Sequence, residues 1–436
     1  MKNILFVLSL TLTLTIHSQS LYFPPLTGTT WDTIKPSTLG YCQPRIDSLY
    51  NYLATKNSKS FIVLKDGKIV LEKYFGTYTK DSLWYWASAG KSLSSFITGL
   101  AQQKGYININ NLVSQYIGTS WTSETLVKEN MITVKHLLQM ASGLDDAPPL
   151  PCDQLDSAKS CLIYKADAGT RWGYHTGAYY KTHDVVTSAV GQTYNTITNS
   201  WIKTKTGMGG IWQQNIYYSK ARDMARFGLL ALNKGIWQND TIMKDSLYFK
   251  AMTNTSQPIN LSYGYLWWLN GKASAMAPGS QILVPGTLIS NAPSDMFCAL
   301  GKNDQKIYVV PSQKLVVIRQ GNTAGGFNFA SSAFDNVLWN YINKLTCSTA
   351  SIDDIGQSKT IEIYPNPVSS ELYIEAKNIV TVSIINMLGE KIECPKYLTD
   401  NGIQINCSTL LNGLYQIELT TTNGIVQRTK VVKVGQ

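Results

Sequence analysis

The stretch Trp86-Ala-Ser-Ala-Gly-Lys-Ser-Leu-Ser-Ser-Phe-Ile-Thr-Gly-Leu100 decides how the whole sequence is interpreted. Its second half carries apolar residues at three- and four-residue spacing, which predicts an amphipathic helix. Ser88 and Lys91, at the start of that helix, are three residues apart and therefore share one face. A serine hydroxyl becomes a nucleophile when a neighbouring base takes its proton, and a buried lysine with a lowered pKa can be that base. The spacing therefore predicts an activated serine.

The same spacing occurs a second time, in Ser200 to Lys203, so the four-residue pattern does not establish the chemistry by itself. Taken alone, either copy is equally well explained as an exposed serine and lysine on an ordinary helix. The motifs that separate the two copies lie further along the chain.

The composition is that of a soluble globular protein. Of 436 residues, 44% are hydrophobic and 11% aromatic. The net charge is +10, but charged residues make up only 15% and form no dense basic run, so no nucleic-acid partner is expected. There are four histidines and no metal-ligand spacing, so no metal and no cofactor are expected.

Residues 1–18 have the pattern of a signal peptide. Lys2 provides the positive start, residues 4–16 form an apolar centre, and small polar residues follow as a cleavage site. The apolar run is too short to anchor the chain in a bilayer, and no other stretch approaches a transmembrane span. We therefore expect an exported protein that is secreted or held at the cell surface.

Export makes disulfides possible, although seven cysteines cannot all pair. Cys298 lies in an apolar run and is expected to be a buried free thiol. Connectivity does not follow from sequence alone. The candidate pairs are Cys152 with Cys161, Cys394 with Cys407, and Cys42 with Cys347.

The order of patterns predicts an α+β domain over residues 21–346. Two β-rich runs joined by Asp66-Gly67 form a hairpin at 61–75, and helical patterns fill the middle of the chain. Strands and a last helix follow, so one sheet is expected to gather both ends of the domain. The predicted helices cover 46–53, 132–143, 184–189, 194–203, 219–234 and 333–345, and the predicted late strands cover 263–269, 296–300, 306–310 and 315–319.

A second domain is expected after a linker. Residues 347–358 are rich in Ser, Thr, Asp and Gly, which is typical of a linker. Short strand patterns fill 359–436, which predicts a small all-β sandwich. They cover 361–364, 371–375, 380–386, 402–405, 413–421 and 426–434.

Several further motifs appear in order along the first domain. They are Leu137-Leu-Gln-Met-Ala-Ser-Gly-Leu144, Tyr174-His-Thr176, Ala225-Arg-Phe-Gly-Leu-Leu230 and Tyr263-Gly-Tyr-Leu-Trp-Trp268. With Ser88-x-x-Lys91 they make the chain resemble the serine β-lactamase and penicillin-binding-protein superfamily. The likeness is to its class C-like and esterase branch, including the 6-aminohexanoate-dimer hydrolase group. It covers about 21–345 and implies an antiparallel sheet flanked by helices, with a helical subdomain.

The resemblance implies roles for three residues. Ser88 would be the acylated nucleophile, Lys91 would take its proton, and Tyr174 would pass a proton to the leaving group. A phenol with an ordinary pKa of about 10 needs a nearby cation to serve near neutrality, which Lys91 would supply.

The third family motif, K-T-G or H-x-G, has a literal match at Lys205-Thr-Gly207. This match closes a helix only 31 residues after Tyr174, whereas the family's motif lies on a late strand. The segment 299–305 has that position, so Lys302 would stand where the family has Lys or His. The backbone N–H of Gln305 would then complete an oxyanion hole with the N–H of Ser88.

Three departures from the family pattern bear on activity. Thr176 replaces the Asn that helps to bind a β-lactam side chain, and Met140 stands where many relatives have His. Asp304 replaces Gly, and it is expected to crowd the strand edge beside the substrate and to add negative charge. These departures are compatible with acyl-enzyme chemistry, but they weaken the case for true β-lactamase activity.

The tail resembles the C-terminal sorting domain of type IX secretion substrates. Its matching segments are Ile363-Tyr-Pro-Asn-Pro367, Leu388-Gly389, Leu411-Asn-Gly-Leu-Tyr415 and Lys430-Val-Val-Lys433. The resemblance implies the type IX machinery as a partner, and release or attachment outside the outer membrane.

The leading hypothesis is a secreted serine hydrolase that cleaves a small amide, ester or short peptide through acyl-Ser88. One alternative is a D-amino-acid peptidase or carboxypeptidase acting on cell-wall fragments. Another is a catalytically inactive, penicillin-binding-like recognition protein.

Overall fold

The structure is a computed structural model that describes residues 21–325, 332–347, 362–375, 379–387, 389–399, 401–421 and 426–435. The predicted signal peptide and most of the predicted linker lie outside the described residues. The chain divides into two compact units, Met1–Ser348 and Thr349–Gln436. None of the described helices is long and apolar enough to cross a membrane.

The first unit combines helices and strands. Its helices are α1 Gln43–Thr55, α2 Gly90–Gln103, α3 Ser114–Ile117, α4 Leu126–Glu129, α5 Val134–Leu138, α6 Thr176–Val190, α7 Tyr194–Thr198, α8 Thr204–Thr206, α9 Ala221–Leu232, α10 Ser246–Met252 and α11 Ala333–Asn343. Its strands are β1 Ser58–Lys65, β2 Lys68–Tyr74, β3 Trp84–Tyr85, β4 Ile211–Gln213, β5 Ile216–Ser219, β6 Ile236–Trp237, β7 Asp240–Thr241, β8 Trp268–Leu269, β9 Ser274–Met276, β10 Leu283–Pro285, β11 Phe297–Gly301, β12 Gln305–Val310 and β13 Leu315–Gly321.

The main sheet has the strand order β2-β1-β13-β12-β11-β8, and all its pairs are antiparallel. Strands from both ends of the unit therefore lie side by side, as predicted. The β1–β2 hairpin turns at Asp66 and Gly67, whose φ angles are 51° and 83°. A turn with two positive φ angles matches the twist of the flanking strands, which is why Asp-Gly was a useful signal.

Helices cover both faces of this sheet. Along β12, Lys306 and Tyr308 reach Asp335 of α11, whereas Ile307 lies against α9 on the other face. The α9 helix packs closely at Gly228, where an added Cβ would lie only 2.5 Å from a Val316 methyl. A glycine is therefore required at that crossing.

Two predicted elements are shorter than expected. The helix predicted at 132–143 ends at Leu138, because Met140 adopts a positive φ of 54° that a helix cannot accommodate. Of the strand predicted at 263–269, only Trp268–Leu269 pairs with β11. Of the remaining residues, Tyr263 is buried and packs against Tyr174 in the site described below.

Two of the three candidate disulfides form, Cys42–Cys347 and Cys152–Cys161, and Cys298 is a buried free thiol. The expected Cys394–Cys407 bond is wrong. Both residues are separate buried thiols in the core of the second unit, and the Cys407 thiol donates to the Ile405 carbonyl.

The second unit contains strands β14 to β21 in two four-stranded antiparallel sheets. One has the order β14-β15-β19-β18 and the other β17-β16-β20-β21. The bounds are β14 Glu362–Tyr364, β15 Glu371–Glu375, β16 Ile379–Ile385, β17 Lys391–Ile392, β18 Lys396–Thr399, β19 Gly402–Asn406, β20 Gly413–Thr421 and β21 Val426–Lys433. The all-β prediction is confirmed, with β17 and β18 as additional strands.

Candidate active site

Ser88 lies in a 3-10 turn, Ala87–Ala89, that leads directly into α2. The turn begins with a positive φ of 47° at Ala87. Trp86 fixes its position, because the buried indole N–H donates to Ser219 Oγ at 2.8 Å and the backbone N–H donates to the Tyr217 carbonyl. The half-buried Ser88 hydroxyl is thereby presented at the end of a rigid segment.

Lys91 lies one turn further along, with its side chain almost completely buried. Its Nζ is 2.9 Å from Ser88 Oγ and 3.2 Å from Thr176 Oγ1 at the start of α6. Thr176 therefore retains a hydrogen-bond acceptor for Lys91 where the family has Asn. This contact joins the two helices at the reactive pair.

The amine of Lys91 has no charged partner in the described part of the chain. Burial alone lowers the pKa of Lys91 from 10.5 to about 7, so roughly half of the amine is neutral at pH 7. The Nζ atom lies 4.7 Å from the ring centre of Tyr179 and 5.1 Å from that of Tyr174. Two aromatic rings and two hydroxyls thus surround it.

Tyr174 is buried in a cluster of aromatic rings. Its ring stacks on Trp268 at 5.9 Å between centres, and Trp172 and Tyr263 pack beside it at 6.1 and 6.3 Å. Its hydroxyl has no hydrogen-bond partner of good geometry among the described residues. It is nevertheless close enough to Ser88 for that hydroxyl to influence its pKa.

The protonation state of Tyr174 differs from the expectation. Burial raises the pKa of Tyr174 to about 12, and the Ser88 hydroxyl only partly opposes this effect. We expected Lys91 to act as a cation that lowers this pKa. That expectation is wrong, because burial of the phenol itself dominates its pKa and the Lys91 amine is only about half protonated at pH 7. A neutral amine beside a protonated phenol gives a base and an acid in the same site.

The predicted third segment also lies beside the nucleophile. Gly301 packs so closely that an added Cβ would lie 2.4 Å from the Trp86 carbonyl oxygen and 2.9 Å from the Ala89 backbone nitrogen. Gln305 pairs with Gly301 across the β11–β12 turn. Its buried side-chain amide is hydrogen-bonded to the Gly321 backbone and to the Asn303 carbonyl. A contact between Gln305 and a substrate would therefore have to be made by the backbone.

Lys302 does not join the reactive group. Its side chain is exposed and makes no hydrogen bond or ion pair with any described residue. The adjacent Asn303, which sequence reasoning did not select, donates to the Tyr85 hydroxyl at 2.6 Å.

Asp304 does not crowd the substrate edge, which corrects the expectation. Its buried carboxylate accepts from the Ala324 N–H and the Ser332 hydroxyl and lies 3.2 Å from Lys306 Nζ. Burial would raise the pKa of Asp304, but Lys306 and these donors lower it below its usual value. The carboxylate therefore belongs to the interior.

A buried arginine holds the same turn. Arg319 on β13 donates to the backbone carbonyls of Asn303 and Asp304 at 2.8 and 3.0 Å. It also donates to the Lys56 and Asn322 carbonyls. A single charge in the apolar run 315–319 is the sequence signal for this contact, and it did not lead to a prediction.

The competing motifs lie elsewhere. Lys205 of the literal K-T-G pairs with Asp240 at the surface. In the second Ser-x-x-Lys copy, the Ser200 hydroxyl donates to the carbonyl of Ile197, one turn before it, and Lys203 is exposed. Both segments were set aside for the right reason, their position in the chain.

The chain belongs to the β-lactamase family, which it matches over residues 55–338. Residues 362–433 match the secretion system C-terminal sorting domain. The predicted resemblance and fold class are thus confirmed. A search of curated proteins found no match.

Solved structures share the fold at low sequence identity. One is a protein from Bacillus anthracis described as a 6-aminohexanoate-dimer hydrolase, with 17% identity and a TM-score of 0.55 over 75% of this chain and 90% of that one. Another is an octameric penicillin-binding protein homologue from Pyrococcus abyssi, with 14% identity and a TM-score of 0.52 over 89% and 99%. A family VIII carboxylesterase has 14% identity and a TM-score of 0.52 over 70% and 99%.

The Lys306→Met substitution tests the buried ion group behind the turn. Lys306 Nζ lies 3.2 Å from Asp304 and 2.9 Å from Asp335, and all three side chains are buried. Removing the cation leaves two buried carboxylates uncompensated, so we expect the free energy of unfolding to fall by about 3–5 kcal/mol. Urea unfolding followed by tryptophan fluorescence measures the change.

Lys205→Met is the matched control, because it breaks an ion pair whose two side chains are half-exposed. It should cost under about 1 kcal/mol. Equal losses in the two variants would contradict a structural role for the buried group.

Proposed function

We propose that the protein is a secreted serine hydrolase that cleaves a small amide, ester or short peptide through an acyl-Ser88 intermediate. The observation that carries this proposal is the 2.9 Å contact between Ser88 Oγ and the buried Lys91 amine, which pairs with no carboxylate among the described residues. Such an amine is a base near neutral pH and can take the serine proton.

The first half-reaction assigns one task to each residue. Lys91 Nζ takes the Ser88 proton as Oγ attacks the substrate carbonyl carbon. The backbone N–H groups of Ser88 and Gln305 are our candidates for holding the resulting oxyanion. Tyr174 then gives its proton to the leaving amine or alkoxide as the bond to carbon breaks. The Lys91 ammonium returns a proton to the Tyr174 phenolate.

The second half-reaction uses water in place of Ser88. Lys91 Nζ accepts a proton from water as the water oxygen attacks the acyl carbon. The Lys91 ammonium then gives that proton to Ser88 Oγ as the bond between Oγ and the acyl carbon breaks and the carboxylic acid leaves. Tyr174 starts protonated, because burial raises its pKa to about 12. This state suits a proton donor to the leaving group.

Two further possibilities follow from the sequence. A D-amino-acid peptidase or carboxypeptidase would use the same acyl-Ser88 step on cell-wall fragments. An inactive recognition protein was considered because of Thr176 and Asp304. Support for it weakens, since Thr176 contacts Lys91 and Asp304 is turned inward.

A fluorophosphonate probe tests the nucleophile directly. We expect intact mass spectrometry to show a single adduct on the wild type, and no adduct on Ser88→Ala. Ser200→Ala, in the other Ser-x-x-Lys copy, should label like the wild type. An absent adduct on folded wild-type protein would instead favour the recognition protein. Short esters, amides and D-peptides would then be profiled as substrates.

The pH dependence of labelling tests the base. Because only the neutral amine can take the serine proton, the rate should fall about tenfold per pH unit below the Lys91 pKa of about 7. Above that value it should reach a plateau up to about pH 10, since the pKa of Tyr174 is about 12. The measurement is the second-order labelling rate from pH 5 to 10. A profile with no change between pH 5 and 8 would contradict Lys91 as the base.

Export tests the tail. We propose that residues 1–18 direct the chain across the inner membrane and that residues 359–436 hand it to the type IX machinery. Deleting residues 358–436 should retain the protein inside the cell envelope, whereas full-length Ser88→Ala should be exported like the wild type. Immunoblots of medium, cell surface and periplasm measure this. Unchanged release of the truncated chain would contradict the role of the tail.

A further inference from the structure

Three buried polar side chains meet beside the Lys91 amine, and the proposed reaction uses none of them. The Tyr179 hydroxyl lies 2.7 Å from Ser94 Oγ and 3.0 Å from His183 Nε2. Ser94 Oγ and His183 Nε2 are themselves 2.7 Å apart. All three side chains are almost fully excluded from solvent.

The two helices that the Lys91–Thr176 contact joins also supply this group. Ser94 follows Lys91 by one turn of α2, while Tyr179 follows Thr176 by one turn of α6. His183 is one further turn along α6, next to Tyr179 on the same face. The group therefore repeats, one turn deeper, the connection between α2 and α6 that Lys91 and Thr176 make.

His183 is itself held from the outside. Its Nδ1 lies 3.1 Å from Asn215 Oδ1, and its ring stacks on Tyr194 at 3.9 Å between centres. With Asn215 accepting the Nδ1 proton, Nε2 is left as an acceptor for a hydroxyl. The imidazole therefore fixes the direction in which the Ser94 and Tyr179 hydroxyls point.

The group carries no charge near neutral pH. Burial lowers the pKa of His183 to about 3, and burial raises the pKa of Tyr179 well above 10. The Tyr179 ring that faces Lys91 is thus anchored entirely by neutral hydrogen bonds. The face of this ring attracts an ammonium ion weakly, but the loss of hydration on burial outweighs that attraction, since the pKa of Lys91 is lowered to about 7.

The other elements packed against α2 are equally neutral towards Lys91. Their buried titratable groups include Tyr174, Tyr248 of α10 and Cys298 of β11, and burial raises the pKa of each. The charged residues of α6 and α10 lie away from the amine: Lys181 pairs with Asp184, and Lys250 is exposed.

We propose that Tyr179, anchored by Ser94 and His183, is a positioning residue that keeps water away from Lys91 and holds its amine uncharged against Ser88. The inference rests on the proposed function. It means that residues which do not react themselves keep Lys91 in its basic form. Loosening the ring would admit water to the amine and favour its ammonium form.

The test compares His183→Leu with His183→Gln. Leu cannot bond to the Tyr179 hydroxyl, whereas the Gln amide offers both a donor and an acceptor at a similar reach. Fluorophosphonate labelling of Ser88 is measured from pH 5 to 10, with thermal unfolding as the control for folding.

For His183→Leu we expect the midpoint of the labelling profile to rise by about one pH unit. The rate should fall about fivefold at pH 7 and return to within about twofold of the wild type at pH 9.5. His183→Gln should keep the midpoint within about 0.3 units of the wild type.

Ser94→Ala repeats the test from α2 and covers the case in which His183→Leu does not fold. It removes one anchor of the Tyr179 hydroxyl, so its midpoint should shift in the same direction. A uniform loss of rate at every pH, with the midpoint unchanged in both variants, would overturn the inference and leave the group a packing role. A wild type that forms no adduct would overturn the proposed function and this inference together.

Discussion

The burial of a lysine without an acid is the constraint on which the rest of this site depends. Lys91 and Lys306 are both excluded from solvent, yet their surroundings are opposite. Lys306 lies between two carboxylates, which stabilise its charge and make it part of the framework. Lys91 faces hydroxyls and aromatic rings, so burial raises the free energy of its charged form and favours the neutral amine.

The surroundings of Lys91 must be held in place by several elements of the fold, because an ammonium ion would otherwise draw in water. Trp86 fixes the turn that carries Ser88, and Gly301 brings the β11–β12 turn against it without space for a side chain. Arg319 then holds that turn by donating hydrogen bonds to the backbone carbonyls of Asn303 and Asp304. Segments far apart in sequence thus meet around one amine, and a rigid sheet with helices on both faces is suited to hold them.

The fold and the grouping of Ser88, Lys91 and Tyr174 in one candidate site were largely predictable, because their signals are local. The Asp66-Gly67 hairpin, the Ser88–Lys91 spacing and the position of Tyr174 can each be recognised within a few residues. Their order along the chain separated Ser88 from Ser200. Such local signals can be recognised without knowing which segments contact one another in the fold.

The errors arose where the answer depended on distant partners. Asp304 was expected beside the substrate, but its donors Ala324 and Ser332 lie 20 and 28 residues later in the chain. The state of Tyr174 was misjudged because the rings that bury it, Trp172, Tyr263 and Trp268, come together only in the fold. Tyr179 and His183 were missed since their spacing on α6 is an ordinary one until Ser94 is placed opposite them.

The Cys42–Cys347 bond has a mechanical meaning for a protein that carries an export tail. It joins residues separated by 305 positions, one just before α1 and one just after α11. Helices α1 to α11 and strands β1 to β13 all lie between these two cysteines in the sequence, within one covalent ring. A pull applied to the chain after Cys347 would be carried across the sulfur–sulfur bond to Cys42. With Cys347 tied to Cys42, unwinding that starts at the C-terminal end of α11 cannot carry that end away from the start of α1.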